Sequence, residues 1–373
     1  MTMGEMITER SSGQASSACR VGTGGVVRPD ESTALRYVRR SRARARRRHM
    51  AVTFALVVLV LTLAYVDLAY GRRFYEPGDV LEVLSGSQPS PIRFIIMQIR
   101  LPRVLVGLFA GLAFGMAGAG FQRIMRNMMA SPDIIGITAG ANLAAVFGII
   151  VLGISGPLLA SMAVAGGLLT ASCVVALAWK GTFAPTRLIL MGIGLAAALN
   201  AAASWIMVQA DQWDMQAASR WLTGSLGSTT WEDMPGLAVA VLVAGGGLLM
   251  LTRHVDSLRF GGEVATGLGV RVTFVQGTVI VLAVLLLSCA TASCGPVAFV
   301  SFLSGPIAER LSGPSRTALL PAGLVGGALM LSADIVAQHL PFAQLPVGVV
   351  TSLIGCPMLV MLMIRMNRKQ VLG

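Results

Sequence analysis

Residues 294–310 read Cys294-Gly-Pro-Val-Ala-Phe-Val-Ser-Phe-Leu-Ser-Gly-Pro-Ile-Ala-Glu-Arg310. The stretch is apolar enough to enter a bilayer, yet it is short and Gly305-Pro306 interrupts it. Counted as a membrane span, it gives the chain ten crossings. Left out, it gives nine and moves the C-terminus to the opposite side. Nine longer apolar runs surround it, at 51–70, 104–122, 135–154, 157–178, 187–208, 234–252, 273–290, 318–338 and 346–365, with 294–309 eighth in order. About 20 apolar residues span the hydrocarbon core as a helix. Composition agrees: 55% of the 373 residues are hydrophobic and 12% charged, with a mean hydropathy of +0.74. A soluble domain carries about 25% charged residues. The expected fold class is all-α, a polytopic membrane protein of about ten transmembrane helices.

Charge decides between nine and ten. With a cytoplasmic N-terminus and ten spans, the inner loops hold Arg123 and Arg126, Lys180 and Arg187, then Arg253, Arg259 and Arg271, then Arg310 and Arg316. The C-terminal Arg365, Arg368 and Lys369 fall on the same side. The outer loops after spans 3, 7 and 9 carry no Lys or Arg, and the one after span 5 carries Arg220 against Asp211, Asp214, Glu232 and Asp233. That is the positive-inside pattern. It places both termini in the cytoplasm and the chain, multi-pass, in the cytoplasmic membrane.

The net charge of +12 is concentrated at the start. Residues 1–49 hold 11 Lys/Arg and four acids, with eight arginines from Arg36 to Arg48. The segment reads as a basic cytoplasmic tail, expected to be disordered, that sets topology and meets anionic lipid. Tyr37 is its one aromatic residue, which gives no support to nucleic-acid binding. Residues 50–366 form the membrane domain and 367–373 a short cytoplasmic tail. Met50–Tyr70 is too long for a signal-peptide core and lacks an A-x-A site, so it reads as an uncleaved first span; Met50 is an alternative start. Five cysteines without a C-x-x-C and three scattered histidines offer no metal site. No G-x-x-x-x-G-K-[ST] occurs, and the chain has two lysines, so it holds no nucleotide-binding P-loop.

Within the spans, Gly107, Gly111, Gly115, Gly118 and Gly120 fall on span 2. Small residues every fourth position let a neighbouring helix approach closely, and packing drives association in lipid. Ionisable residues are nearly absent: Asp67 and Asp334 lie near the outer ends of spans 1 and 9. An ion-coupled secondary transporter needs such a group near the midplane, and a membrane-embedded enzyme needs clustered His or acids. Asn142, Asn200 and Gln276 remain as polar groups that either bond a neighbouring helix or touch cargo. Asn200 and Gln276 are candidates for the cargo pathway.

One outer segment breaks the charge rule. Residues 71–103 hold Arg72, Arg73, Arg93, Arg100 and Arg103, which calls for an acidic partner on that side. Arg100-Leu-Pro-Arg103 is followed by the glycine-rich span and Arg126-Asn127-x-x-Ala130-x-Pro132-Asp133-x-x-Gly136. Then come Arg220-Trp-Leu-Thr-Gly-Ser-Leu226 with Trp231, Gly295-Pro-Val-Ala-Phe-Val300 with Ile307-Ala308, and Ala333-Asp334 with Leu345-Pro-Val-Gly-Val-Val-Thr351 and Ile354-Gly355-x-Pro357. In this order, over about residues 55–366, the motifs resemble the iron-siderophore/cobalamin (FecCD-type) permease family of ABC importers.

The resemblance implies a type II ABC importer permease fold, used as a dimer with the same or a related permease. Two ATPase subunits carry ATP and Mg on the cytoplasmic side, and a substrate-binding protein docks outside. This chain itself is then no enzyme and binds no cofactor. Arg100 and Arg103 are assigned to binding-protein docking, a role that suits the planar guanidinium; snorkelling at the head of span 2 is the alternative. Gly262-Glu-Val-Ala-Thr-Gly-Leu-Gly-Val270 is assigned to ATPase coupling, with Glu263, Ala265, Gly267 and Gly269 in a short helix ended by glycine. A third docking arginine of cobalamin permeases is Gln338 here, which favours ferric siderophore over haem or cobalamin as cargo. Two departures lie on the cytoplasmic face: Glu309 stands where the family has arginine, and Met128-Met129 where it has Pro-Leu.

Overall fold

The computed structural model describes residues 31–70, 75–76, 78, 83, 91–178, 185–313, 318–340 and 345–371. The expected positions Arg72, Arg73, Lys180 and Arg316 lie outside them. Two compact units are distinguished, residues 1–44 and 45–373. Of the first, the described part opens helix α1 (Glu31–Ala69) and exposes Arg39, Arg40, Arg42 and Arg44. The expectation of disorder is corrected for residues 31–49. Alanine and arginine favour helix, and a formed span spares the segment a nucleus of its own.

Among its described residues the second unit is built of helices joined by short irregular segments. After α1 come α2 (Pro91–Met125), α3 (Ile137–Ile150), α4 (Pro157–Ala178), α5 (Pro185–Val208), the short α6 (Gln212–Leu222) and α7 (Trp231–Met250). There follow the short α8 (Thr252–Ser257) and α9 (Gly262–Gly267), then α10 (Val272–Cys294), α11 (Val300–Ser312), α12 (Leu319–His339) and α13 (Val347–Val371). Among the described residues, seven helices are long and apolar enough to cross a membrane. Of the remaining expected spans, α3 and the apolar part of α13 are shorter, and 294–309 is an extended stretch followed by the 13-residue α11.

Helix α2 is the axis of the unit and is largely buried, as is α12 beside it. Their contact is the expected glycine seam. A Cβ on Gly111 would stand 2.5 Å from the Gly326 carbonyl oxygen and 2.6 Å from Gly327 Cα. One on Gly115 would strike the Ala322 carbonyl, and one on Gly118 the Ser301 carbonyl. Backbone thus packs on backbone, the close approach that drives helix association in lipid. Helix α5, by contrast, is largely exposed apolar surface.

Of the prolines inside helices, Pro102 and Pro306 are accommodated by different devices. Pro102 has no N–H to donate, and its ring crowds the carbonyl one turn back. The turn before it, Ile95–Arg100, widens to a π-helix, and the Leu101 N–H reaches back to the Ile96 carbonyl. The Arg100-Leu-Pro-Arg103 motif, expected at the end of a loop, is therefore inside a continuous helix. Pro306, the expected break in the eighth span, leaves the Phe302 carbonyl without its helical partner. Gln122 on α2 fills the gap, its Nε2 donating to that carbonyl at 2.9 Å. Gly305 makes the room, since a Cβ there would collide with the Gln122 amide. The helix runs through Pro306 for this reason.

Candidate functional site

Three groups of residues are candidates for functional surfaces, and α2 runs from the first of them toward the opposite end of the unit. Arg103 and Arg123 lie on the same helix about 20 residues apart, or about 30 Å, close to the thickness of a hydrocarbon core.

At the Arg103 end, the guanidinium makes a two-point bond to Asp334, with Nε to Oδ2 at 2.8 Å and Nη2 to Oδ1 at 2.6 Å. Asp334 is fully buried. The Gln338 amide Nε2 donates to Asp67 Oδ1 at 2.8 Å and to Asp334 Oδ2 at 2.9 Å. Helices α1, α2 and α12 are joined by this cluster. Arg100 is half-buried, donates to the Leu68 carbonyl at 2.7 Å and lies 4.9 Å from the centre of the Tyr75 ring. Asp67 and Asp334 were visible in the sequence as acids near span ends. Their shared use of Gln338, and the Arg103 bond to Asp334, were not, because the partners are separated by up to 271 residues.

The expected coupling segment forms α9 as a single short helix. The Val270 N–H bonds the Ala265 carbonyl at 3.0 Å and the Gly269 N–H bonds the Thr266 carbonyl at 2.9 Å. With Gly269 at φ +80°, this is the Schellman end that glycine serves. Ala265 is buried against the unit, whereas Glu263 and Gly267 are exposed. Phe260, Val264 and Leu268 present large exposed apolar side chains around it.

The broken stretch Gly295–Phe299 forms the third group. The unwound segment 224–225 ties the helix ends beside it: Ser225 N–H bonds the carbonyl of Cys294, the last residue of α10, at 2.8 Å, and Gly348 N–H in the first turn of α13 bonds the Gly224 carbonyl at 3.0 Å. Gly295 (φ +75°) and Phe299 (φ +67°) occupy the left-handed region. A cavity of about 610 Å³ opens here, lined by Pro296–Phe299, Ser352 of α13, Thr291 of α10, Asn142 of α3 and Asp133. Asn142 Oδ1 and Thr291 Oγ1 are buried without a hydrogen-bond partner. Asp133 Oδ2 accepts from Ser131 and Ser301, both at 3.0 Å, and Oδ1 accepts from Thr138 at 2.7 Å. Unwound backbone with a few polar groups in an otherwise apolar cavity is how membrane transporters build cargo sites. Sequence reasoning named Asp133 only as part of a motif and missed its place at this cavity. Asn200 is exposed on α5 and Gln276 half-buried on α10; neither lines it.

Glu309, the departure from the family pattern, pairs with Arg123 of α2. The substituted acid thus has a partner inside the chain.

A bundle of apolar helices, one of them broken, with a short glycine-ended helix at its surface, is a multi-pass membrane protein of the transporter permease class. The particular family follows from comparison: residues 56–365 match the FecCD transport family, and the chain belongs to it. It is 35% identical to the ferric enterobactin transport system permease protein FepG of Escherichia coli (strain K12), over 87% of this chain and 98% of that one. It is 32% identical to the iron(3+)-hydroxamate import system permease protein FhuG of Bacillus subtilis (strain 168), over 85% and 97%. A solved structure of a metal-chelate type ABC transporter in an inward-facing conformation superposes with a TM-score of 0.76 at 28% identity, covering 84% of this chain and 99% of that one.

Proposed function

We propose that this chain is the membrane permease subunit of an ABC importer that carries ferric siderophore across the cytoplasmic membrane. The observation that carries the reading is the family match over residues 56–365. The iron-chelate permeases quoted above favour this cargo. Ten passes are proposed, counting Gly295–Ser312 as one, with both termini in the cytoplasm. Two permease subunits, this chain with a copy or a relative, enclose the path. Partner subunits bind and hydrolyse ATP, and this chain performs no catalysis.

In this arrangement α9 is the element that seats on the ATPase. Its exposed Phe260, Val264 and Leu268 supply the apolar contact, and Glu263 in the first turn complements the helix dipole. Arg100 and Arg103 mark the end on which the substrate-binding protein docks. Arg103 serves that end through Asp334, which holds α2 and α12 in register.

Deletion of the gene, followed by growth on single ferric siderophores and uptake of radiolabelled iron, tests the function. Loss of uptake of at least one chelate, restored by the intact gene, is expected. Uptake that persists after the partner ATPase is removed refutes the ABC reading.

A further inference from the structure

Arg48 lies outside the family-matched residues 56–365. It is the last of the eight arginines of the basic segment, one turn before the apolar part of α1. Its neighbours Arg46 and Arg47 have exposed side chains without hydrogen-bond or ion-pair partners. Arg48 is exposed too but has partners: its Nε donates to the Leu311 carbonyl at 3.0 Å and its Nη2 to the Arg310 carbonyl at 3.1 Å. Both carbonyls belong to the last turn of α11, where an α-helix has no N–H groups of its own left to offer. The helix does satisfy the Glu309 carbonyl, through the Gly313 N–H at 2.8 Å. A guanidinium at a helix C-terminus also complements the negative end of the helix dipole. Gly313, at φ +86°, lets the chain turn away beside Arg48, and a Cβ there would stand 3.4 Å from Nη1.

Helix α11 is about 20 Å long and is fastened at both ends by residues remote in sequence. At its N-terminal turn, Ser301 donates to the Asp133 carboxylate at 3.0 Å. At its middle, Gln122 replaces the bond Pro306 cannot make. At its C-terminal turn stands Arg48. The N-terminal end carries Gly295–Phe299 into the cavity, so a tilt of α11 at one end moves the cavity wall at the other.

We propose that Arg48 is a positioning residue for transport, clamping the C-terminal turn of α11 to the foot of α1. The transport role rests on the permease reading; the clamp does not. The basic segment thus has two parts, a run that acts by charge and one arginine that acts by geometry.

The test uses the full chain assembled with its ATPase and binding-protein partners in lipid vesicles. Arg48→Ala, Arg48→Lys and the charge-matched control Arg47→Ala are compared by amide hydrogen exchange at residues 309–313 and by chelate taken up per ATP hydrolysed. A clamp of this kind at an exposed helix end predicts exchange about 2- to 5-fold faster in Arg48→Ala. It also predicts at least about a threefold loss of uptake per ATP at unchanged ATP hydrolysis. Arg48→Lys recovers part of both, since an ammonium can reach two carbonyls but without the fixed fork, and Arg47→Ala matches the parent. If Arg48→Ala does not accumulate, Arg48→Gln carries the same comparison. Unchanged exchange in Arg48→Ala overturns the clamp. Faster exchange with undiminished uptake per ATP overturns the positioning role. A parent protein that takes up no chelate overturns the permease reading, and exchange still reports on the clamp.

Discussion

Arg103→Ala is the substitution that most directly separates an internal from an external role for the Arg100-Leu-Pro-Arg103 motif. Asp334 is fully buried, and Arg103 is its charge partner, 2.6 Å away. With the guanidinium gone, the carboxylate retains Gln338 Nε2, which also serves Asp67. Breaking a buried pair by removing one partner costs about 3–5 kcal/mol, because an uncompensated charge stays behind. Removing both charges, as in Arg103→Met with Asp334→Leu, costs much less, and replacing a buried pair with apolar residues is often neutral. The expected coupling energy in the double-mutant cycle is therefore about 2 kcal/mol or more, at the upper part of the range for residues in direct contact. The assay is reversible chemical unfolding of the purified protein in detergent, for the parent, Arg103→Met, Asp334→Leu and the double variant, with Arg103→Ala beside them. Binding-protein pull-down on the same samples reads the external role. An Arg103→Ala protein that is as stable as the parent but fails to bind its docking partner would falsify the internal role of the Arg103–Asp334 pair: the guanidinium would then serve the outside partner.

Three further outcomes are expected. Gly118→Ala, which drives a Cβ into the Ser301 carbonyl, should lower stability by about 1–3 kcal/mol or more. Gly246→Ala, with nothing within 4 Å, should be neutral or gain about 0.5–1 kcal/mol; equal melting of the two variants contradicts the packing seam. Gly269→Val places a β-branched residue at φ +80° at a cost of about 1–2 kcal/mol. It should weaken retention of the ATPase subunits in co-purification, whereas Gly267→Ala should not. Asp133→Asn leaves one acceptor oxygen for the hydroxyls of Ser131, Thr138 and Ser301. A loss of about 1–3 kcal/mol is expected and is read by unfolding in detergent; a stable Asp133→Asn chain means these hydroxyls have other partners.

The membrane class, the placing of the apolar runs and the family were all legible in the sequence. Hydropathy and charge asymmetry are properties of consecutive residues, and the chain motifs lie in order. The glycine spacing on α2 correctly announced a close helix contact, because one face of a helix recurs every few residues. The glycine-ended α9 was legible for the same local reason: Gly269 alone can adopt its φ without strain.

The tertiary structure decided what each polar side chain does. Arg103 looked like a group waiting for an outside partner, yet its partner Asp334 is 231 residues away. Gly305-Pro306 looked like a break, yet Gln122, 180 residues distant from Phe302, repairs it. Arg48 looked like one basic residue among eight, yet it holds a helix end 263 residues downstream. The physical reason is common to all three. A local pattern reports the direction in which a side chain leaves its own helix. Which neighbour stands there depends on the packing of whole helices, and in this chain the glycine seam that brings α2, α11 and α12 together makes that choice.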